Sequence, residues 1–148
     1  MARRLEESPS LCSLSVELSL VPEDGVDRVW PLIAPILTKP LATTKKSSLE
    51  SIRRQALEGS VQIWAAHNEE EVKMSCVTEI VTYPNEYKTA RILLLGGHDM
   101  GLWKGLMPII EDWAAKNGCE AVEIAGRRGW GRVYPEYLVT EYCFVKEI

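Results

Sequence analysis

The sequence predicts an α/β fold of the α+β kind: a single domain in which a mixed, mostly antiparallel sheet is flanked by helices. Three observations lead there. Strand-like runs joined by short polar connections follow one another mid-chain, VQIWAAH at 61–67, VKMSCVTEIVTY at 72–83 and ARILLL at 90–95, and connections that short join antiparallel neighbours. An apolar strand then feeds a helix through a glycine turn, RILLLGGHDMGLWKGLMPIIEDWAAKNG at 91–118, and the run AVEIAG that returns from the helix should lie parallel to its predecessor. Finally, 148 residues suit one domain, which buries about two thirds of its unfolded-state surface and leaves no material for a second core.

Taken in order, residues 1–10 read as a flexible polar arm and 11–148 as the folded domain. LCSLSVELSL at 11–20 alternates, with Leu14, Val16, Leu18 and Leu20 on one side, which predicts a half-buried first strand. Asp24 or Gly25 can cap a helix carrying Val26, Val29, Trp30, Ile33 and Leu37 at helical spacing, and Pro31 and Pro35 are expected to limit its regularity. After a polar loop at 38–46, Ser47 with Glu50 fits a capping box for a helix carrying Leu49, Ile52, Arg53, Ala56 and Leu57. The three mid-chain strands follow. In the helix after the glycine turn, Leu102, Leu106, Ile109 and Trp113 share one side, with Trp103, Ile110 and Ala114 half a stripe over. Pro108 is tolerated only in a first turn, so the regular helix starts near Met107 or kinks there, and Asn117-Gly118 stops it. After the strand at 121–126, a basic turn leads to a short helix near 132–137, and EYCFVKEI closes the chain as an alternating strand.

Composition removes several classes of function. The chain is 46% hydrophobic and 26% charged, ordinary for a globular domain. No apolar run approaches the roughly 20 residues that span a bilayer, and the start MARRLEESPSLCSL lacks the apolar core of a secretory signal. A formal net charge of -4 argues against duplex nucleic acid as partner. Cys12, Cys76, Cys119 and Cys143 are far apart, and only two histidines accompany them. This predicts no metal site and free thiols in a reducing compartment.

The predicted order β, α, α, β, β, β, α, β, α, β is that of the GNAT acyltransferase superfamily, which the chain resembles over most of its length. A narrower resemblance is carried by VWPLI, LEGSVQIWAA, VTEIVTYP, LLLGG followed by Met and Trp, EDWAAKNGCEAVEIAGR and RGWGRV, with GCEAVEIAGRRGW its most specific part. It is to small GNAT-like proteins of phages and prophages, often encoded among virion genes and sometimes counted as internal virion proteins. The resemblance implies a GNAT fold, a virion or host-cytoplasm setting and phage virion proteins as partners. A homo-oligomer is compatible with it.

A strand that enters a helix through a glycine turn also suits an anion, because unpaired N–H groups at the helix start point outward. In the acetyl-CoA-binding members that the chain resembles, this turn carries Arg or Gln, two residues, Gly, one residue, then Gly or Ala. With Gly101 set at the first glycine, His98 takes the basic or amide position and Trp103 the final small one. The resemblance therefore implies an acyl-CoA site along Leu94, Leu95, Gly96, Gly97, His98, Gly101 and Trp103. It is degraded at two points: an indole there would crowd the phosphates, and Asp99 sets a negative charge beside an anionic cofactor. The resemblance also puts a general acid at Tyr134, in Tyr-Pro-Glu-Tyr-Leu-Val rather than the family's Tyr-Glu-Lys-x-Gly-Phe; the alternative is a packing tyrosine with a wetted hydroxyl.

Glu79, among the apolar residues of VTEIVTY, is the candidate general base, with an ordinary sheet-edge carboxylate as the other reading. His98 could serve as acid, base or phosphate contact, or simply lie at the surface; His67 reads as structural. Arg127, Arg128 and Arg132 with Trp130 form a compact basic and aromatic cluster suited to a partner. Otherwise Trp130 packs on the sheet while an arginine pairs with Glu120, Glu123 or Glu136. Two functions follow. The first is a virion-associated or accessory interaction protein with a degenerate acyl-CoA site. The alternative is an acetyl-CoA-dependent N-acyltransferase with the acyl chain beside residues 93–97, Tyr134 as acid and Glu79 or water as base.

Overall fold

A computed structural model describes residues 15–148. The expected arm at 1–10 and the first residues of the predicted opening strand lie outside the described residues. The strands are β1 (Glu17–Val21), β2 (Gln62–His67), β3 (Val72–Thr82), β4 (Lys88–Gly97) and β5 (Ala121–Ile124), lying side by side in that order in one sheet. The first three junctions are antiparallel and the β4–β5 junction is parallel, as the mid-chain meander and the helical crossover predict.

Helices α1 (Val26–Leu41) and α2 (Leu49–Leu57) cover one face. Their buried side chains Val26, Ile33, Leu37, Ile52 and Ala56 meet Ile63, Ala65, Val77 and Leu94 from the sheet. α1 continues through Pro31, Pro35 and Pro40 without a break, contrary to the expectation of an irregular helix. Each proline removes one backbone donor, but Pro31 and Pro35 are exposed, and the buried stripe along the opposite side holds the helix against the sheet. The capping box of α2 is one residue later than expected: Ser51 N–H donates to Ser48 Oγ at 3.1 Å and Ser48 N–H to Ser51 Oγ at 2.9 Å. A serine hydroxyl thus does what Glu50 was expected to do.

Helix α3 (Met107–Lys116) and the four-residue α4 (Trp130–Val133) cover the other face. Trp64, Ala66, Met74, Cys76, Ile92 and Leu95 pack there against Trp103, Met107, Ile110 and Tyr134, and the Trp64 ring meets Trp113 edge-on at 5.2 Å. Regular helix starts at Met107, after two 3-10 turns at Met100–Leu102 and Lys104–Leu106. Those turns correct the expected helix face. A 3-10 turn advances by about 3.0 residues against about 3.6 for an α-helix, so a stripe counted from Leu102 loses phase. Leu102 and Ile109 are 37% and 42% exposed, while Trp103, Ile110 and Ala114 are buried. Gly118, at φ +79, closes α3 as expected.

The expected last strand is not formed. Residues 138–148 pair with no strand and lie exposed, and β5 is the outermost strand of the sheet. Alternation fixes a strand only where an edge is in reach to pair with, and within one copy this segment is directed elsewhere: Glu147 pairs with Lys45 in the loop after α1, at 2.6 Å. Among the described residues no helix is long and apolar enough to cross a membrane, and no group of side chains could hold a metal ion.

Candidate functional site

The ladder between β3 and β4 carries an irregularity that the sequence does not announce. Val77 pairs with Leu94 but Thr78 pairs with Ile92, so Leu93 is an extra residue on β4, a bulge. A bulge bends its strand and increases the local twist. The parallel ladder to β5 ends at the same level, with Ile92 opposite Ile124 and a last bond from Ala125 N–H to the Ile92 carbonyl at 3.0 Å. Beyond Ile92 no described strand accompanies β4 on that side. β4 thus runs on past the end of β5, and the carboxyl end of such a parallel pair is where open α/β sheets bind ligands. Residues 93–97, the turn that follows β4 and the loop at 126–129 that follows β5 belong to that end.

The paired glycines at the end of β4 are required by packing. A Cβ on Gly96 would lie 3.0 Å from the Ile36 carbonyl and 3.1 Å from the Pro40 ring, where α1 crosses the strand. One on Gly97 would lie 2.4 Å from the Lys73 carbonyl. Neither needs a phosphate to explain it, and a Cβ on Gly101 would meet nothing within 4 Å.

After Gly97 the chain is tied down rather than opened to a ligand. His98 N–H donates to the Lys73 carbonyl at 2.9 Å. Asp99 adopts the left-handed conformation, φ +54, and its Oδ2 lies 3.0 Å from Lys73 Nζ, which also pairs with Glu71. His98 Nε2 stands 3.5 Å from the second oxygen of Glu71. The hydrogen bond from Lys73 holds both the Glu71 and Asp99 carboxyls below their usual range, and the bonds to Glu71 and Asp99 raise the Lys73 ammonium. Lys73 thus draws on the negative charge that Asp99 was expected to turn on a cofactor, but shares itself between Asp99 and Glu71.

The expectation for Trp103 is corrected as well. Its ring is 1% exposed and belongs to the core under α3, with its centroid 6.5 Å from Trp130 and its indole N–H donating to the His98 carbonyl at 2.8 Å. The residue lies between two 3-10 turns, Met100–Leu102 and Lys104–Leu106. There the N–H groups of Leu102, Trp103 and Leu106 donate to the carbonyls of Asp99, Met100 and Trp103 at 2.9, 3.1 and 2.9 Å. Three N–H groups that precede α3 are thus committed within the chain, and Pro108, at its start, supplies none.

Tyr134 is 5% exposed, stacked on Trp130 at 6.3 Å. Its hydroxyl has no hydrogen-bond partner among the described residues, and burial, reinforced by Cys76, Glu136 and Glu111, pushes its pKa up to about 12. It is a protonated phenol at neutral pH, able to donate but not to act as a base. Its neighbour Tyr137 donates to Glu111 Oε2 at 2.5 Å.

No family model matches the chain, and no curated protein matches it. Solved structures do. An aminoglycoside acetyltransferase from an uncultured soil metagenomic sample, in complex with sisomicin, superposes with a TM-score of 0.67 at 15% identity, covering 90% of this chain and 96% of that one. The ribosomal-protein-alanine N-acetyltransferase of Brucella melitensis biovar Abortus 2308 gives 0.67 at 13% identity, covering 90% and 99%. A GNAT family acetyltransferase of Staphylococcus aureus gives 0.63 at 14%, with the same coverage. The fold is the GNAT acetyltransferase fold. At these identities the likeness is one of fold alone.

On this GNAT sheet the sequence-predicted residues fall into separate places. Leu94 and Leu95 are buried on opposite faces, Leu94 with α1 and Leu95 with α3. Glu79 is half-buried, opposite Arg91. Strand alternation puts it on the α1 face with Val77, whereas Tyr134 packs on the α3 face with Cys76. The sheet lies between the two candidates for acid and base, so they do not face one substrate. Trp130 is half-buried and lies against Gly126, where a Cβ would be 3.0 Å from its ring; it is part of the core rather than an exposed contact. Arg127, Arg128 and Arg132 are exposed, and among the described residues none forms an ion pair. Lys73 and Glu71, which set the charge of the turn, were not singled out from sequence, although the charged run before Val72 was the available signal. Glu123 was named only as a possible arginine partner. It instead accepts from Thr89 Oγ1 at 2.5 Å and Tyr83 Oη at 2.8 Å, its carboxylate reaching back toward the start of the β4–β5 ladder.

Proposed function

We propose that this chain is a GNAT-fold protein with an accessory, interaction-based role in or around a phage particle, and that its acyl-CoA site is degenerate. The observation that carries the reading is the turn after β4, where Trp103 is buried in the core and the N–H groups of Leu102, Trp103 and Leu106 are committed to 3-10 turns. The particle setting, with virion proteins as partners, rests on the sequence resemblance carried by GCEAVEIAGRRGW and the runs around it. Exposed Arg127, Arg128 and Arg132, without ionic partners among the described residues, are the contact residues. Arginine in such a position offers a planar fork to a carboxylate on a partner.

A thermal-shift titration with acetyl-CoA and longer acyl-CoAs tests the degenerate site. A ligand at 100 times its Kd adds about 2.7 kcal/mol, and no shift is expected. Mass spectrometry of purified particles tests the setting; absence of the chain from particles, with no virion protein co-purifying, would remove it.

A second reading, an acyl-CoA-dependent N-acyltransferase, has a specific observation in its favour. β4 is bulged at Leu93 and runs on past the end of β5, and Tyr134 carries a protonated, unpartnered hydroxyl that a departing thiolate could take a proton from. Glu79, across the sheet, would not serve as its base. A thermal shift with any acyl-CoA decides for this reading.

A further inference from the structure

We infer that a pocket at the β1 edge of the sheet binds a small organic cation, a molecule with a short apolar body and a protonated amine. The pocket encloses about 340 Å³, within the roughly 300–1,000 Å³ of small-molecule sites. It forms where two chain reversals meet. Pro22 ends β1 and a 3-10 turn at Glu23–Gly25 leads into α1, while Gly59, at φ +81, follows α2 just before β2 begins. Val26, Ala56, Val61 and Ile63, all of the core on the α1 face, line it. Leu20, which lines it too, is 40% exposed. β1 is the edge strand opposite β5, three strands or roughly 14 Å from β4. The pocket is therefore separate from the turn that follows β4.

Charge selects the occupant. Among the described residues Glu23 is the only charged one that lines the pocket. Its carboxylate lies against Gly59, where a Cβ would meet Glu23 Oε1 at 2.5 Å. That places it at the carboxyl-terminal end of α2, beside the cap residue Glu58. A helix ends there in the negative pole of its dipole, so a carboxylate is unfavourable unless a cation answers it. Among the described residues none does. No hydrogen bond or ion pair engages Glu23, and Arg28, whose guanidinium lies near Gly25, does not pair with it. A protonated amine would meet the Glu23 carboxylate and the end of the α2 dipole together, while its hydrocarbon body covers the apolar wall. A carboxylate of the same shape would be repelled, and a neutral alcohol would keep the apolar contact alone.

The test is a titration of the full chain with n-hexylamine, protonated near pH 7, followed by backbone amide chemical shifts. 1-Hexanol and hexanoate serve as its neutral and anionic counterparts. Expected are saturable shifts centred on the pocket, at Val26, Gly59 and Val61. Hexanol should bind about fivefold more weakly, the factor that a charge pair about 4 Å apart supplies in water, and hexanoate more weakly still. Glu23→Gln changes an exposed side chain, so its melting temperature should be no lower than that of the wild type. It should bind hexylamine about fivefold more weakly and hexanol as before. No saturable response to hexylamine up to about 10 mM, well above a Kd of about 1 mM, overturns the inference. So do shifts centred elsewhere, hexanol or hexanoate binding as tightly as the amine, or an unchanged affinity for hexylamine in Glu23→Gln. A variant that melts below the wild type also overturns it, because the carboxylate would then be answered within the chain.

Discussion

Replacing Trp103 by alanine tests whether the turn after β4 is held by the core or shaped for a ligand. The indole is 1% exposed and touches the cluster that contains Leu95, Met107 and Tyr134. Emptying a large buried aromatic site costs about 3–5 kcal/mol. The substitution also removes the donor to the His98 carbonyl, adding about 0.5–1.5 kcal/mol if water does not replace it. A total near 4–5 kcal/mol would lower the melting temperature of a domain this size by roughly 8–20 °C, at about 2–4 °C per kcal/mol. The assay is urea denaturation followed by tryptophan fluorescence, with calorimetric melting beside it. The variant should gain no affinity for acetyl-CoA, because the ring lies in the core rather than over the turn. A loss below about 1 kcal/mol would refute the core assignment. Acetyl-CoA binding created by the substitution would show that the ring had been the obstruction.

Gly96→Ala should destabilise by about 1–3 kcal/mol, the usual cost of overpacking, since its Cβ would press on the Ile36 carbonyl and the Pro40 ring where α1 crosses β4; an unchanged midpoint in urea would place α1 wrongly. Arg127→Ala with Arg128→Ala should leave stability within about 0.5 kcal/mol while reducing co-sedimentation with particles, and an unfolded double variant would mean that the arginines are part of the core. Tyr134, raised to about 12 in the fold from an ordinary value near 10, adds stability that is fully present below pH ~10 and is lost as the pH climbs through ~12. Tyr134→Phe should flatten the alkaline fall in urea midpoint over that window, and phenolate absorbance should report the delayed titration; a Tyr134 that titrates near 10 would contradict its burial.

Most of the architecture follows from periodicity. The meander of β2, β3 and β4, the crossover through α3 and the stop at Gly118 each rest on local patterns, alternation or a glycine at a helix end, that tertiary packing left in force. What was not legible depends on contacts between distant residues. The bulge at Leu93 comes from register with β3, and nothing in ARILLL marks which leucine is the extra one. The helix face shifted because the residues before Met107 form 3-10 turns on either side of the buried Trp103, which the apolar spacing alone does not reveal. The pairing of Asp99 with Lys73 joins residues on different elements and changed the electrostatic reading of the turn. Glu79 and Tyr134 were each plausible alone, but two candidates far apart in sequence reveal their separation only once the faces of β3 are assigned. The alternation at 141–148 suggested a strand, but the segment pairs with none and lies exposed, because whether an alternating run joins a sheet is decided by where the rest of the chain leads it.

The central claim is that this GNAT fold lacks a working phosphate cradle in the turn that follows β4. Isothermal titration of the full wild-type chain with acetyl-CoA tests it directly. The account predicts no saturable heat with ligand up to about 1 mM, the concentration at which even a binding free energy of about -4.1 kcal/mol would show. A one-to-one isotherm with a Kd near 1 μM, about -8.2 kcal/mol, would contradict it and identify a working cofactor site beside Tyr134.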